Sequence, residues 1–478
     1  MSNSAADPYG PFIDGAYRDG AGTFEVENPS TGETVDVVSE SGTAEVDAAL
    51  ESARRAQPEW AALDADDRGR ILRDVARALE DHVDELARLS TEEIGSPISQ
   101  SRSIAEGAVA YLDYFSGATD KIQGETIPVP GDRQAFTRRE PLGVSAQIVP
   151  WNAPVTLCQR GVAPALAAGN VAVVKPAPEA PRGILRMAEI AAEAGLPDGV
   201  FNVVPGGGPT TGAALTEDPR VDQITFTGSV ATGTVVGKAA MERMVPTALE
   251  LGGKSPAVVF DDADLDDAVG GAIKALTMLS GQVCYATTRV FVQEGIYDEF
   301  RASLVDAVES LSMGAGADDP DVGPLITGDA LDTVTQHVDD AVAGGAAALT
   351  GGERADRDGH FYRPTVIEGA PDDAPISCAE VFGPVINLYE FADENEAIRR
   401  ANDTEYGLYA TVWTNTFDRA HRVANAIEAG SVMINQYSGS NPPTPFGGYK
   451  KSGLGREKGM QALEHYTELK TINFALEE

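Results

Sequence analysis

Apolar residues recur at spacings of three and four from Ala44 to Ala56 and again from Asp66 to Leu89, with charged residues between them. That period gathers the apolar positions on one side and predicts surface helices over both stretches. From about Gly143 the pattern changes to short β-rich runs, VSAQIV, VAVVKP, GVFNVV, QITFTG and SPAVVF, separated by helical segments. Strands that alternate with helices imply a parallel sheet covered on both faces. A second alternation begins near Arg289 with RVFVQE and continues to AGSVMINQ. The expected fold class is therefore α/β, with two parallel-sheet domains. Residues 120–143 alternate and carry prolines but lack helical spacing, which predicts a hairpin that leaves its own domain; KTINFAL is a further strand candidate. Such edges usually need a partner, so a small β arm and subunit association are expected.

At 478 residues with 42% hydrophobic content, the chain is too long for one ordinary core and has material for two or three. No apolar run approaches the roughly 20 residues that cross a bilayer. The opening MSNSAADPYG lacks the basic and hydrophobic regions of a leader, so the expected location is the cytoplasm. Acidic residues number 74 against 36 basic, for a net charge of -38, and only nine of the basic residues are lysine. This argues against nucleic acid as a partner, and nothing points to a membrane. Acidic blocks such as Asp64–Asp67 and Asp261–Asp267 are spread along the chain rather than gathered in a tail. That distribution suits a solvated shell at high salt, as in a halophilic source. Cys158, Cys284 and Cys378 lie far apart and the five histidines form no HExxH pair, so neither a disulfide framework nor a metal is expected.

Several short stretches are candidates for chemistry, each with a plainer reading beside it. Cys284, in SGQVCYATTR, is a small buried hydrophobe or a nucleophile. The glycine-rich turn 205–212, containing Gly208, follows GVFNVV, and Gly228-Ser229 follows QITF. Both place backbone N–H groups and a helix start where a pyrophosphate fits, yet glycines at such turns are also ordinary punctuation. GxGxxG and GxxxxGK[ST] are both missing, which disfavours a P-loop enzyme. Lys175 ends an apolar strand, where its ammonium group either meets a ribose or phosphate or reaches solvent. Glu250, before two glycines, is a general base or a residue beside a turn. Asn152, two residues before Pro154, is a helix cap or a donor to an oxyanion.

Taken together, PWN-P at 150–154, KPA at 175–177, FTGS at 226–229, ELGGK at 250–254, GQ-C at 281–284, E-FGP at 380–384 and PFGGYKKSGLGRE at 445–457 resemble the aldehyde dehydrogenase superfamily. Order and spacing match across nearly the whole chain. The resemblance implies that the Cys284 thiolate attacks the aldehyde carbon. It implies that the Asn152 amide and the Cys284 N–H hold the oxyanion, and that Glu250 activates water to hydrolyse the thioester. Lys175 would contact the adenosine ribose, Ser229 the pyrophosphate and Glu380 the nicotinamide ribose, with Trp151, Gly208, Gly228 and Phe382 completing the cofactor site. Many relatives have glutamate three residues after the lysine; this chain has Pro178, so the cofactor is expected to be NAD or NADP, with Glu179 pointing elsewhere.

The same resemblance bears on the substrate. Leu157, Arg160 and Gly161 would share the helix face that lines the tunnel. Arginine at position 160 also occurs in succinate-semialdehyde, 2-oxoglutarate-semialdehyde and lactaldehyde dehydrogenases. It favours a carboxylate or hydroxyl remote from the aldehyde, unless it pairs with a protein carboxylate. Tyr285 would narrow the pocket or donate a hydrogen bond. The expected division is residues 1–119 with 143–252 for the cofactor, 253–458 for catalysis, and 120–142 with 459–478 as the arm of a homodimer or homotetramer. The activity expected is NAD(P)-dependent oxidation of a small semialdehyde acid to the free acid. A catalytically silent homologue and a coenzyme-A-acylating enzyme are the rivals.

Overall fold

The strand Val144–Ile148 is an inner member of an eight-stranded sheet in the computed structural model, which describes residues 9–439 and 441–476. The first eight residues of the opening stretch and the last two of the arm lie outside the described residues. Val171–Lys175 and then Phe201–Val203 extend the sheet on one side, Gln223–Thr227 and then Thr247–Glu250 on the other, all parallel. The chain thus steps outward, crosses back and starts again beside its first strand. Where strand order reverses in this way, the loops at the carboxyl ends diverge and leave a crevice. Those ends carry Trp151-Asn152 and Gly228-Ser229.

Phe12–Ile13 and Ala16–Tyr17 close one edge antiparallel. At the other edge Gly453–Leu454 returns to pair antiparallel with Leu249 and Glu250. Gly453 has φ 144, and a Cβ there would stand 2.0 Å from the Leu249 carbonyl oxygen, so only glycine permits this approach. Ser452, fully buried, donates to the Gly252 carbonyl at 2.8 Å and accepts from the Gly407 N–H at 2.9 Å. The strand bearing Glu250 is therefore held from its far side by a segment some 200 residues later.

A second sheet of seven strands runs in the spatial order Ala347–Thr350, Thr365–Glu368, Val385–Phe391, Arg289–Gln293, Pro256–Val259, Tyr409–Trp413, Ser431–Ile434. All are parallel except Ala347–Thr350. SPAVVF, grouped by its position in the chain with the first alternation, belongs here instead. Its residues pair with both Arg289–Val292 and Thr411–Trp413. Strand pattern identifies a buried strand but does not say which sheet receives it.

Residues Thr126–Ile127 and Arg133–Pro141 form the expected hairpin, and Thr467–Ala475 pairs with the longer strand through nine consecutive positions. The two strand candidates outside the main sheets are thus each other's partner. Leu469, Phe474 and Leu476 remain exposed on this arm. Among the helices, the first pattern runs Thr43–Ala62, while the second is two helices, Ala65–Asp81 and Val83–Ile94, broken at His82 (φ -109, ψ 11). Helix Ile98–Ser116 was not anticipated, because alanine, glycine and serine blur its apolar stripe. Among the described residues no helix is long and apolar enough to cross a membrane.

Replacing Gly453 by alanine forces the Leu249–Gly453 pairing apart. We expect Gly453→Ala to cost about 1–3 kcal/mol of stability, read from the denaturation midpoint, and to lower turnover in the surviving folded protein.

Candidate active site

Past Ile148 the chain runs Val149-Pro150-Trp151-Asn152 and enters helix Pro154–Ala167. Proline fits the first turn because the N–H it lacks would have no intrahelical acceptor there. Asn152 does not cap this helix: Ala153 holds the cap position, with no side-chain capping bond. The buried Asn152 amide donates instead to the Gln282 carbonyl at 2.9 Å, two residues before Cys284. One amide N–H is used in that bond, leaving the other for a second acceptor.

The turn before Cys284 is strained. Leu279, Ser280 and Gly281 have φ of 48, 56 and 73, three left-handed residues in succession. Such a conformation persists only when its surroundings over-determine it. Gln282 supplies much of that restraint, donating from Nε2 to the Leu279 carbonyl at 2.9 Å and accepting at Oε1 from Ile326 N–H at 2.9 Å. Ser280 donates to the Gly323 carbonyl at 2.9 Å. Cys284 is thus presented by a rigid loop. Among the described residues its N–H has no hydrogen-bond partner.

Cys284, Asn152 and Glu250 line one cavity of about 870 Å³, together with Trp151, Leu157, Arg160, Gly228, Ser229, Tyr285, Glu380 and Phe382. Lys175 and Gly208 lie outside it. Lys175 lies beside the far end of the turn Gly208–Gly212, where a Cβ on Gly212 would stand 3.6 Å from the Lys175 side chain; a Cβ on Gly208 would meet nothing within 4 Å. Gly161 does not share the cavity face with Leu157 and Arg160. It faces the sheet, where a Cβ would meet Gln147 Oε1 at 2.2 Å. Tyr285 lines the cavity, packs against the Tyr409 and Tyr437 rings, and donates its hydroxyl to Met278 Sδ at 3.0 Å.

Burial dominates the electrostatics. It pushes the Cys284 thiol up to about 12, against the pull of Arg160 and Lys458. Burial and then the Glu457 charge raise the Glu250 carboxyl well above its ordinary value, and neither of its oxygens has a hydrogen-bond partner among the described residues. Burial works against the Arg160 charge, but Glu457 and Glu250 more than offset it. Arg160 Nε donates to Glu457 Oε2, and its guanidinium lies 5.1 Å from the centre of the Phe446 ring. The protein-carboxylate alternative for Arg160 is therefore realised at Nε, while Nη2 has no partner among the described residues.

The remaining cofactor candidates are built as follows. Glu380 lies on the Gly252-Gly253 backbone and accepts from Gly253 N–H at 3.0 Å; a Cβ on Gly252 would stand 2.1 Å from its other oxygen. Burial lifts Glu380 to about 7. Trp151 and Phe382 meet edge to face with ring centres 5.6 Å apart. Ser229 caps helix Val230–Glu242, accepting from Thr232 N–H at 3.2 Å. Lys175 donates to the Pro176 carbonyl at 2.9 Å; burial lowers it to about 8, and Glu179 draws it part of the way back.

Sequence reasoning gave no role to four residues of the cavity or its wall: Tyr111, Phe446, Glu457 and Lys458. Phe446 and Glu457 sit inside the PFGGYKKSGLGRE stretch, so a signal was present. Tyr111 comes from the unanticipated helix and had none.

Residues 17–472 match the model of the aldehyde dehydrogenase family. The chain belongs to the aldehyde dehydrogenase family. Solved structures agree with that assignment. An NADP dependent enzyme of E. coli is 39% identical over 100% of both chains, with a TM-score of 0.97. An aldehyde dehydrogenase from Bacillus cereus, solved as its NAD+ complex, is 38% identical over 98% of this chain and 97% of its own, with a TM-score of 0.97. Betaine aldehyde dehydrogenase from Staphylococcus aureus, with NAD+ bound, is 37% identical over 98% and 97%, with a TM-score of 0.95. Among aldehyde dehydrogenases this chain falls in the NAD(P)-dependent class.

A thiol lifted to about 12 is almost wholly protonated at neutral pH. In the cofactor-free aldehyde dehydrogenase, alkylation of Cys284 followed by peptide mass spectrometry should therefore speed up about tenfold per pH unit between about pH 7 and 10, without a plateau.

Proposed function

We propose that the chain oxidises a small aldehyde bearing a remote carboxylate to the free acid, by way of a covalent Cys284 thiohemiacetal and thioester. The observation that carries the reading is the convergence of Cys284, Asn152 and Glu250 on one cavity with Trp151, Ser229, Glu380 and Phe382. Cys284, having given its proton to solvent, attacks the carbonyl carbon as the thiolate; the C–S bond forms as the C=O π pair moves onto oxygen, which becomes an oxyanion. The free N–H of the Asn152 amide and the Cys284 backbone N–H are the donors for it, both fixed by the strained loop. Collapse of the adduct expels hydride and leaves a thioester on Cys284. NAD(P), when bound, accepts that hydride.

The residues present fit such a dinucleotide. The crevice opens where strand order reverses, helix Val230–Glu242 begins at Ser229, and Glu380 is held on glycine backbone beside the cavity. Position 178 carries proline, so the acid that would repel a 2′-phosphate is missing and either cofactor is accepted. The exposed apolar residues of the Thr467–Ala475 strand and their neighbours suit a homodimer or homotetramer contact. Residues 1–119 with 143–252, 253–458, and the two arm segments serve as cofactor, catalytic and association units in this reading.

Glu250 then draws a proton from water, and the hydroxide attacks the thioester carbonyl carbon; the C–S bond breaks, releasing the free acid and returning Cys284 as a thiolate. A buried carboxyl without hydrogen-bond partners is well suited to this, because its raised affinity makes it a stronger base once ionised. Its presence supports hydrolysis over transfer to coenzyme A, and the complete set of three residues supports an active enzyme over a silent homologue. Arg160, in the cavity wall, favours the carboxylate-bearing substrate.

The test is Glu250→Gln. One equivalent of NAD(P)H per site is expected in an initial burst, while steady turnover falls about a hundredfold or more. Only the ionised carboxyl is a base, and burial with the Glu457 charge raises its affinity for the proton, so wild-type turnover should rise with pH above the ordinary carboxylate range, and coenzyme A should not be required. Loss of the burst along with turnover would exclude a role confined to hydrolysis.

A further inference from the structure

Strand Glu33–Glu40 pairs with Gly22–Asn28 in a small sheet of their own, yet its last residue reaches the glycine-rich loop of the first large sheet. Glu40 Oε1 accepts from the Gly207 N–H at 3.2 Å. The contact is fixed from both sides, for Ser41 N–H donates to the Pro205 carbonyl at 2.7 Å and Thr211 Oγ1 donates to the Ser41 carbonyl at 2.6 Å. Gly212 N–H donates back to the Gly207 carbonyl at 3.1 Å, which closes the loop. Lys175, buried, stands at that closed end beside Gly212. An acid and a lysine thus flank one short loop. Beside it lies open space, since a Cβ on Gly208 would meet no atom within 4 Å.

Across the first sheet the parallel strands end in the order Glu250, Thr227, Ile148, Lys175 and Val203, and the loop follows Val203. A dinucleotide laid over those ends with its nicotinamide beside Cys284 has its adenosine end at Lys175 and the loop. NAD and NADP differ only at that end, by a phosphate in place of the 2′-hydroxyl. A hydroxyl can donate to a carboxylate, whereas a phosphate dianion is repelled by it. Position 178 holds proline, so the acid at this end comes from elsewhere in the chain. We propose that Glu40 is a specificity-determining residue that selects against the 2′-phosphate, so that an enzyme open to both cofactors binds NAD more tightly. This rests on the reading of the crevice as a dinucleotide site and names the dinucleotide it prefers. Lys175 serves either ligand, through a ribose oxygen or a phosphate; Glu40 tells them apart.

The experiment measures Kd for NAD and for NADP by titration calorimetry on the cofactor-free full chain, with no aldehyde present. Wild type should bind NAD about tenfold or more tightly than NADP, the scale of one like-charge contact. Glu40→Gln keeps an oxygen for the Gly207 N–H and removes the charge. It should tighten NADP binding about tenfold and leave NAD within about threefold. The denaturation midpoint reports any loss of fold. Glu179→Gln is the comparison, because the Glu179 charge also acts on Lys175; its gain in NADP affinity should be the smaller. Wild type that binds NADP at least as tightly as NAD overturns the proposal without any variant. Unchanged NADP affinity in Glu40→Gln, or an equal or larger gain in Glu179→Gln, overturns it as well. Wild type that binds neither dinucleotide would defeat the cofactor reading of the crevice itself.

Discussion

The buried ion pair between Arg160 and Glu457 joins two segments nearly 300 residues apart and gives the cavity its inner wall. Desolvating both charges is costly, and removing either partner would strand the other without water. The pair is therefore better understood as a device for position than as a source of stability. Its geometry fixes three things at once. Glu457 brings Phe446 with it through paired backbone bonds, Phe446 lies against the guanidinium, and Lys458 follows in the next residue. Because the Glu457 charge acts on Glu250, the pair also sets the electrostatic surroundings of that carboxyl.

Much of the fold was visible in the sequence because buried parallel strands are written as short β-branched runs between helices. Val171–Lys175, Gln223–Thr227 and Arg289–Gln293 are each such a run. What a run does not carry is its neighbour: run order alone put Pro256–Val259 with the first alternation, although the expected division at residue 253 separated it from that sheet. Local rules also failed where a distant partner won. Asn before proline reads as a helix cap, yet the Asn152 amide reaches a carbonyl 130 residues away. Helical spacing put Gly161 beside Arg160, but Gln147 on the adjacent strand occupies the space a side chain would need. The spacing of 66–89 gave no warning of the break at His82, where residues on either side continue the same apolar period.

The site was legible to the degree that its residues lie in short contiguous motifs. Cys284, Glu250 and Asn152 each sit in one, and the structure brings all three to a single cavity. The charge balance tells a complementary story about lysine. A chain with nine lysines and a net charge of -38 buries three of them, Lys175, Lys254 and Lys458, at 5%, 1% and 6% exposure. Where lysine is scarce on the outside, those retained within stand out as positions where a cation answers a specific need. Composition alone could not show this, since it counts residues without placing them.

The return of Gly453–Leu454 to the edge of the first sheet has a bearing on how the polypeptide matures during synthesis. When the ribosome has delivered the first 250 residues, the strand carrying Glu250 has one side without its final neighbour. The intervening second sheet must be made, and must leave a passage, before that gap is filled. Nascent chains therefore spend the interval with an unpaired edge, the kind of surface that invites association with other chains and the attention of chaperones.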